Sequence, residues 1–387
     1  MKTLRRELGL IDAVVIGLGS IIGTGAYLSI GLSTQVAGAS IMVAILLAAV
    51  TALANGFSSA QLAAAHPVSG GTYEYGYRYL NAAAGRLAGI FFIVAKSASA
   101  ATAALAVAYY IGSFANIGTI TVKTIAVALL LLLTLLVLAG VKRTNWLNLM
   151  LVIIALLGLT VFIYVGLTNP TQEPVTHLSW QPQTWHAAAL VFVAFTGYGR
   201  IATMGEEVQN PRKTIPLALV ISLAISTMLY LLIGLTLLSH DTTLLAEQQL
   251  NIAYLLADPD YRLMVLVSGG VAMSGVVLNL LLGVSRVFLA MGRRKDLPAA
   301  FARLNRTQQS APLATWASFT VMVAIVIVGG IESAWSLSAL TVLVYYGITN
   351  LAALKVSSSQ RFVPRWVHVF GLLSCCGLAL WLAVSYV

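Results

Sequence analysis

The chain has 387 residues, of which 59% are hydrophobic and only 9% are charged, and its formal net charge is +10. A soluble globular domain has about 25% charged residues, so this composition excludes that class. Apolar runs of roughly 20 residues, long enough to cross a ~30 Å hydrocarbon core, recur along the sequence. The composition therefore predicts an all-α polytopic membrane protein surrounded by the lipid bilayer.

Eleven membrane spans are predicted from the apolar runs, with no soluble domain between them. The whole chain, 1–387, is then a single transmembrane domain. Spans one to five form a first repeat at about 11–167, spans six to ten form a second at about 185–354, and one helix is additional. The predicted spans are 11–32, 38–62, 86–114, 119–140, 146–167, 185–205, 214–239, 262–292, 312–330, 333–354 and 366–387.

The basic residues are distributed very unevenly between the two sides of these spans. Of the 22 Lys and Arg, Lys96 and Arg200 lie inside spans and Lys123 and Arg262 lie on one side; the other eighteen share the side of the N-terminus. The positive-inside rule then predicts a cytoplasmic N-terminus in a plasma membrane, such as a bacterial inner membrane. The net charge is thus a topology signal, and no nucleic-acid partner is predicted.

Two spans contain glycine-rich interruptions at matching positions. The first span reads GLGSIIGTG at 17–25, and the sixth reads AFTGYG at 194–199. Glycine costs about 1 kcal/mol relative to alanine in a helix interior, so four glycines in nine residues predict a break. Because five crossings separate the two spans, they run in opposite directions, which indicates an inverted repeat of five plus five. Close helix packing through Gly19 and Gly23 remains an alternative explanation for the first span alone.

A helix that is broken inside the membrane exposes backbone groups that can bind a ligand. Irregular backbone survives at that depth only where it lines a cavity. The first half of such a helix presents free carbonyl groups, and the second half presents free amides with about half a positive charge. A carboxylate fits the amides and an ammonium fits the carbonyls. Two such helices side by side therefore predict a receptor for an α-amino acid.

Four stretches carry a resemblance to a known family: 7–27 (ELGLIDAVVIGLGSIIGTGAY), 66–80 (HPVSGGTYEYGYRYL), 192–216 (FVAFTGYGRIATMGEEVQNPRKTIP) and 285–298 (SRVFLAMGRRKDLP). Together they resemble the amino acid–polyamine–organocation superfamily of transporters, in particular its cationic amino acid transporter and amino acid permease branches. The resemblance implies a LeuT-like inverted-repeat fold with discontinuous helices 1 and 6. It also implies transport rather than catalysis, with no cofactor.

The resemblance implies a substrate site built from both interruptions. The substrate carboxylate is expected on the backbone and hydroxyl of Thr24 and on the backbone of Gly25, and Tyr198 is expected to close over the site from the outer side. Ser20 is expected to shape the pocket or to bond the backbone. The α-amine is expected to face carbonyl groups, and the remaining predicted binding residues are Ile21, Val193, Ala194, Thr196 and Gly197.

The sequence departs from the family at the fifth span. Many coupled relatives carry a lysine there, whereas this chain has Ile153, Ile154 and Ala155 around that position. Lys96, inside the third span, is a candidate replacement, because a lysine there costs about 2.5–3.5 kcal/mol on insertion scales and is a functional-site hypothesis by default. Snorkelling towards the cytoplasm, or a structural ion pair, is the alternative for Lys96.

Three other charged residues follow the second interruption. Arg200, Glu206 and Glu207 are, with Lys96, candidates for coupling or gating, although a structural pairing of the two glutamates with nearby basic residues is an alternative. A positive group near the pocket, without an acidic residue in either interruption, favours neutral or acidic amino acids over cationic ones. The predicted function is a secondary active or exchange transporter of α-amino acids, with neutral ones favoured and a proton or a counter-substrate as the second partner.

Other classes of function are less well supported by the sequence. A polyamine or organocation carrier is the main alternative, followed by a channel or a structural membrane subunit. An intramembrane enzyme would need paired aspartates, a serine–histidine arrangement or a metal cluster at membrane depth, and no such pattern is visible. The five histidines are scattered without the spacing of metal ligands.

Overall fold

The computed structural model describes residues 8–66, 70–113, 118–139, 145–172, 180–202, 208–247, 250–305 and 311–385, and these ranges contain helices and no strand. The α-helices are α1 (Leu10–Ile21), α2 (Ile30–Ala37), α3 (Ile41–Ala65), α4 (Thr72–Tyr79), α5 (Ala82–Gly112), α6 (Thr119–Leu138), α7 (Asn145–Thr168), α8 (Gln183–Phe195), α9 (Gly199–Ala202), α10 (Pro211–Leu238), α11 (Thr243–Glu247), α12 (Pro259–Arg294), α13 (Pro312–Val328), α14 (Ile331–Leu354) and α15 (Arg365–Val384).

These helices confirm the polytopic fold that the apolar runs predict. Eight helical stretches in the described ranges are long and apolar enough to cross a membrane. One of them, Leu10–Ala65, has 56 residues and turns at Gly38, whose φ of +51° suits glycine. It therefore accounts for two passes. Pro312–Val328 is a shorter apolar helix, and α8 with α9 forms an interrupted pass, so the eleven predicted spans each correspond to helix.

Helix α5 packs closely against its neighbours because a long stretch of its second half carries small or modest side chains. Every residue from Ser97 to Ala108 is buried, and nine of these twelve are alanine or serine. Small residues let neighbouring helix backbones approach closely, which is the main source of helix association in lipid. Helix α14 packs along α5, and the hydroxyls of Ser99 and Ser338 lie 2.9 Å apart at this contact.

The additional helix α15 is joined to the fold by a buried polar network. Ser58 of α3 lies 2.6 Å from Oδ1 of Asn350 in α14 and 2.7 Å from Nδ1 of His368 in α15. Asn55, one turn earlier in α3, bonds both Asn350 and the thiol of Cys375. In lipid there is no hydrophobic driving force between helices, because lipid tails are as apolar as the side chains. These hydrogen bonds between helices therefore help to hold α15 against α3 and α14.

A second polar cluster joins α4 to the C-terminal end of α12. The phenols of Tyr73 and Tyr77 donate to the carboxylate of Asp296, with shortest oxygen–oxygen distances of 2.6 Å. Arg294 forms an ion pair with Glu74 and lies 4.2 Å from the ring centre of Tyr77. Burial, followed by the bond to Asp296, raises the pKa of the Tyr77 phenol, which therefore remains a donor at neutral pH.

Replacing Asp296 by asparagine is expected to destabilise the junction between α4 and α12. Hydrogen bonds to a charged group contribute about 1.5–3 kcal/mol, and because Asp296 is partly exposed we expect the lower end of that range. The melting temperature of the purified protein in detergent should fall by several degrees. Asp260→Asn, at the exposed opposite end of α12, is the matched control and should leave the melting temperature unchanged. Equal melting temperatures for the two variants would contradict this assignment.

Candidate substrate site

The first predicted interruption is a break in the helix. Helix α1 ends at Ile21, and Ile22 has an extended backbone with φ of −81° and ψ of 114°. The helix resumes at Thr24 and continues as a π-helix over Gly25–Ser29 before α2 begins. The first N–H groups of a restarted helix have no acceptor within that helix. The restart falls at Thr24 and Gly25, so their N–H groups are among those without an acceptor in the same helix.

The second interruption is milder than the sequence predicted. After α8 ends at Phe195, residues Thr196–Tyr198 form a single 3-10 turn, and α9 continues directly from Gly199. The backbone is tightened here rather than unwound, since all these residues keep helical dihedral angles. A 3-10 turn inside a helix is a common sign of a functional hinge.

The two interruptions touch each other through their glycines. A Cβ atom placed on Gly197 would lie 2.1 Å from the carbonyl oxygen of Ser20 and 2.6 Å from the backbone nitrogen of Ile21. A Cβ atom on Gly25 would lie 2.8 Å from the Cβ of Ala194. All three distances are too short for a real Cβ contact. Glycine at positions 25 and 197 therefore allows close contact between the two interrupted helices.

Tyr230 of α10, which the sequence analysis missed, joins the two interruptions. Its side chain is fully buried, and its hydroxyl lies 3.1 Å from the carbonyl oxygens of both Ile21 and Ala194. The ring packs 4.9 Å from that of Phe195. A tyrosine deep within a predicted span was the available signal, because its hydroxyl needs a partner in hydrocarbon.

The carbonyl groups predicted to face the α-amine all accept hydrogen bonds within the protein. The carbonyls of Ile21 and Ala194 share the single phenolic proton of Tyr230. The hydroxyl of Thr196 lies 2.7 Å from the carbonyl oxygen of Val193, and the phenol of Tyr346 lies 3.4 Å from the carbonyl oxygen of Thr196. A carbonyl oxygen has two lone pairs, so a substrate ammonium would share these acceptors with the protein hydroxyls or displace them.

One hydroxyl group at the first interruption is buried without a partner. The side chain of Thr24 is 3% exposed, and its Oγ1 makes no hydrogen bond to any described residue. A buried hydroxyl in this state costs about 1–3 kcal/mol, and such exceptions call for an explanation. Ser20, by contrast, donates to the carbonyl of Ile16 in its own helix, 2.9 Å away.

Tyr198 lies in an aromatic cluster next to the second interruption. It is fully buried, its ring centre is 5.3 Å from that of Tyr346, and Tyr346 in turn packs against Phe192. Tyr346 belongs to α14, so this cluster joins the second interruption to a helix that packs along α5. The arrangement is compatible with the closing role that the resemblance implies for Tyr198.

Lys96 reaches the second interruption from α5. Its ammonium nitrogen lies 2.9 Å from Oγ1 of Thr196. Arg200 lies on α9, just beyond the same interruption, and is partly exposed. Glu206 and Glu207 are outside the described residues. The structure thus brings Lys96 to the predicted substrate residues from a helix one hundred positions away in the sequence.

An uncharged group occupies the region where the resemblance places the family lysine. The phenol of Tyr27, from the π-helical segment, lies 2.7 Å from the carbonyl oxygen of Ala155 in α7 and 3.0 Å from the hydroxyl of Ser268 in α12. This tyrosine is fully buried. Where the family lysine is missing, a neutral hydrogen-bonding contact therefore joins α7, α12 and the π-helical segment of the first span.

The exposed surface at the interruptions lies on one side. On the other side of the break, the residues of Gly25–Ser29 are buried, and so are all residues of α8 from Ala187 to Phe195. Ser20, Gly197 and Gly199 are partly exposed, and they lie towards the side of the N-terminus. The solvent-accessible surface of the two interruptions is therefore confined to the N-terminal side, and Thr24, Thr196 and Tyr198 are buried.

The fold and this site define the chain as a multi-pass membrane transporter with two interrupted, mutually packed helices. A family model described as amino acid permease matches residues 8–387. An uncharacterized transporter of Mycobacterium tuberculosis is 36% identical over 392 residues, which cover 99% of this chain and 88% of that protein. The chain belongs to the amino acid permease family, as the resemblance in its motifs predicted.

Two further relatives are from Bacillus subtilis. The branched-chain amino acid permease BcaP is 25% identical over 416 residues, which cover 98% of this chain and 87% of that protein. The methylthioribose transporter is 27% identical over 402 residues, which cover 95% and 83% respectively. These names confirm that the chain is a transporter and not an enzyme. The two named substrates differ, so the substrate of this chain has to be argued from its own site.

Proposed function

We propose that this protein is a secondary transporter of α-amino acids that works by alternating access around the two interruptions. The unpartnered, buried hydroxyl of Thr24 is the observation that carries this proposal. It lies where the first helix restarts, beside free backbone amides and at a positive helix end. A bound carboxylate would accept from both the hydroxyl and the amides, which would remove the cost of burying that hydroxyl alone.

The amine of the substrate would bind on the other side of the same break. There the carbonyls of Ile21 and Ala194 converge on the hydroxyl of Tyr230. An ammonium that approached these carbonyls would donate hydrogen bonds to acceptors whose geometry Tyr230 already fixes. The side chain of the substrate would extend towards Thr196, Gly197 and Tyr198.

Gating would depend on contacts that cross from the surrounding helices to the second interruption. Lys96 of α5 bonds Thr196, and Tyr346 of α14 packs on Tyr198. Both contacts must change if the interrupted helices rock relative to α5 and α14. Arg200, and Glu206 and Glu207 further along the sequence, would belong to the inner gate. A proton or a counter-substrate would complete the transport cycle.

The proposal includes the membrane and the internal symmetry of the chain. The eighteen basic residues on the N-terminal side favour a cytoplasmic N-terminus in a plasma membrane. The partial exposure of Ser20, Gly197 and Gly199 on that side would assign this conformation to the one that faces the cytoplasm. The matching interruptions in the first and sixth spans support an inverted repeat of 11–167 and 185–354, with α15 added outside it.

Thermal stabilisation of the purified protein in detergent tests the proposal. A ligand at one hundred times its Kd stabilises the folded state by about 2.7 kcal/mol. We expect a few α-amino acids to raise the melting temperature, and the corresponding decarboxylated amines to have no effect. In Thr24→Trp the response should disappear, whereas Thr160→Trp, on an exposed face of α7, should retain it. Stabilisation by amines alone, or by no amino acid, would contradict the proposed function.

A further inference from the structure

Lys96 presents unused hydrogen-bond donors at the second interruption. Its ammonium has three N–H groups, and the bond to Thr196 uses one of them. The hydroxyl of Thr196 itself donates to the carbonyl of Val193, so it acts as the acceptor for Lys96. Among the residues that the structure describes, Lys96 makes no other hydrogen bond and no ion pair.

The position of Lys96 in α5 directs these donors towards the substrate site. It lies near the middle of a 31-residue helix that is long and apolar enough to cross a membrane. The residues on either side, Ala95 and Ser97, are fully buried, whereas Lys96 is partly exposed. Its ammonium nitrogen lies 2.9 Å from the hydroxyl of Thr196, next in the chain to the partly exposed Gly197.

The charge balance of the loaded site depends on what the substrate carries. A neutral amino acid is a zwitterion, and its two charges would be held by the interruption at Thr24 and by the carbonyls near Tyr230. The positive charge of Lys96 would then remain unpaired at membrane depth, which is unfavourable. An amino acid with a second carboxylate has a net charge of −1, and its additional carboxylate would compensate the charge of Lys96.

We propose that Lys96 binds the side-chain carboxylate of the substrate, and that the substrate class is the acidic, dicarboxylic α-amino acids. This inference rests on the proposed function, because it assumes that the α-carboxylate and the amine bind at the first interruption. The sequence favoured neutral amino acids as substrates, and this inference replaces them with acidic ones. The unpartnered hydroxyl of Thr24 marks one carboxylate position, and the free donors of Lys96 mark the second.

Uptake into proteoliposomes by the purified full-length protein tests this inference. Glutamate and glutamine, and likewise aspartate and asparagine, form pairs of nearly equal shape that differ in one charge. We expect the wild-type protein to transport the acid of each pair with a KM at least tenfold lower than that of the amide. Lys96→Met should raise the KM for the acid at least tenfold and leave that for the amide unchanged, whereas Lys96→Arg should retain the preference.

Lys123→Met is the matched control, because Lys123 is a partly exposed lysine of α6 and bonds only the carbonyl of Ile327 among the described residues. It should leave both KM values unchanged. A wild-type preference for the amides would overturn the role of Lys96 and leave the proposed function intact, and this measurement does not depend on any variant folding. Equal loss of both substrates in a Lys96→Met protein with a wild-type melting temperature would also overturn it, in favour of coupling. No transport of any amino acid would instead contradict the proposed function.

Discussion

Replacing Gly197 by alanine is expected to reduce transport by more than tenfold. The new Cβ would lie 2.1 Å from the carbonyl oxygen and 2.3 Å from the carbonyl carbon of Ser20. Because both are backbone atoms, no side-chain rotation can relieve the overlap. Overpacking of this kind costs typically 1–3 kcal/mol and sometimes more. The substitution must therefore push the two interruptions apart, which would separate the carboxylate and amine positions of the proposed site.

The measurement is uptake of radiolabelled substrate into proteoliposomes, together with the melting temperature in detergent. Gly270→Ala is the matched control, since Gly270 lies in the interior of α12 and a Cβ there would meet no atom within 4 Å. We expect the control to transport at the wild-type rate, and Gly197→Ala to lose transport and several degrees of melting temperature. Wild-type KM and rate in Gly197→Ala would show that the contact between the interruptions is not needed for transport.

Removing the hydroxyl of Tyr230 is expected to raise the substrate KM by about fivefold to tenfold. Tyr230→Phe keeps the ring against Phe195 but leaves the carbonyls of Ile21 and Ala194 without their donor. A hydrogen bond between membrane helices contributes about 0.6 kcal/mol on average, with a maximum near 1.7. The single phenolic proton is shared between two buried carbonyls, so the expected loss lies within that range. About 1–1.4 kcal/mol corresponds to a fivefold to tenfold change in affinity.

Concentration dependence of uptake separates this effect from a general loss of folded protein. A loss of folded protein lowers the maximal rate alone, whereas loosened carbonyls should raise the KM for amino acids. Tyr164→Phe is the control, because Tyr164 lies in α7 with its side chain exposed and its hydroxyl makes no bond to a described residue. An unchanged KM in Tyr230→Phe would remove Tyr230 from the substrate site and leave it only a structural contact.

The membrane spans and their interruptions could be predicted from the sequence because both are local properties. A segment in hydrocarbon must satisfy its own backbone, so a run of about 20 apolar residues is already a helix. Glycine clusters weaken that helix where they occur, which is why the break after Ile21 falls within the predicted 17–25. The family motifs lie in the same local stretches, and the family match over residues 8–387 confirms what they implied.

The extent of the second interruption depended on packing rather than on composition. The stretch at 194–199 has two glycines, yet the structure keeps it as a 3-10 turn. Gly197 is enclosed by the backbone of Ser20, and Gly199 is close to the phenol of Tyr346, so both glycines serve close contact. The same residue type breaks one helix and allows tight packing of another, and only the neighbouring helices decide between the two.

The sequence by itself determined that this protein is a polytopic helical carrier with two interrupted spans, because burial in lipid makes helix formation a property of each segment. Only the tertiary structure decided which side chains reach those interruptions. Tyr230 contacts Ile21 from 209 positions away, and Lys96 contacts Thr196 from 100 positions away. Such partners depend on the rotation and depth of helices packed against one another, and no periodicity within a single span records that information.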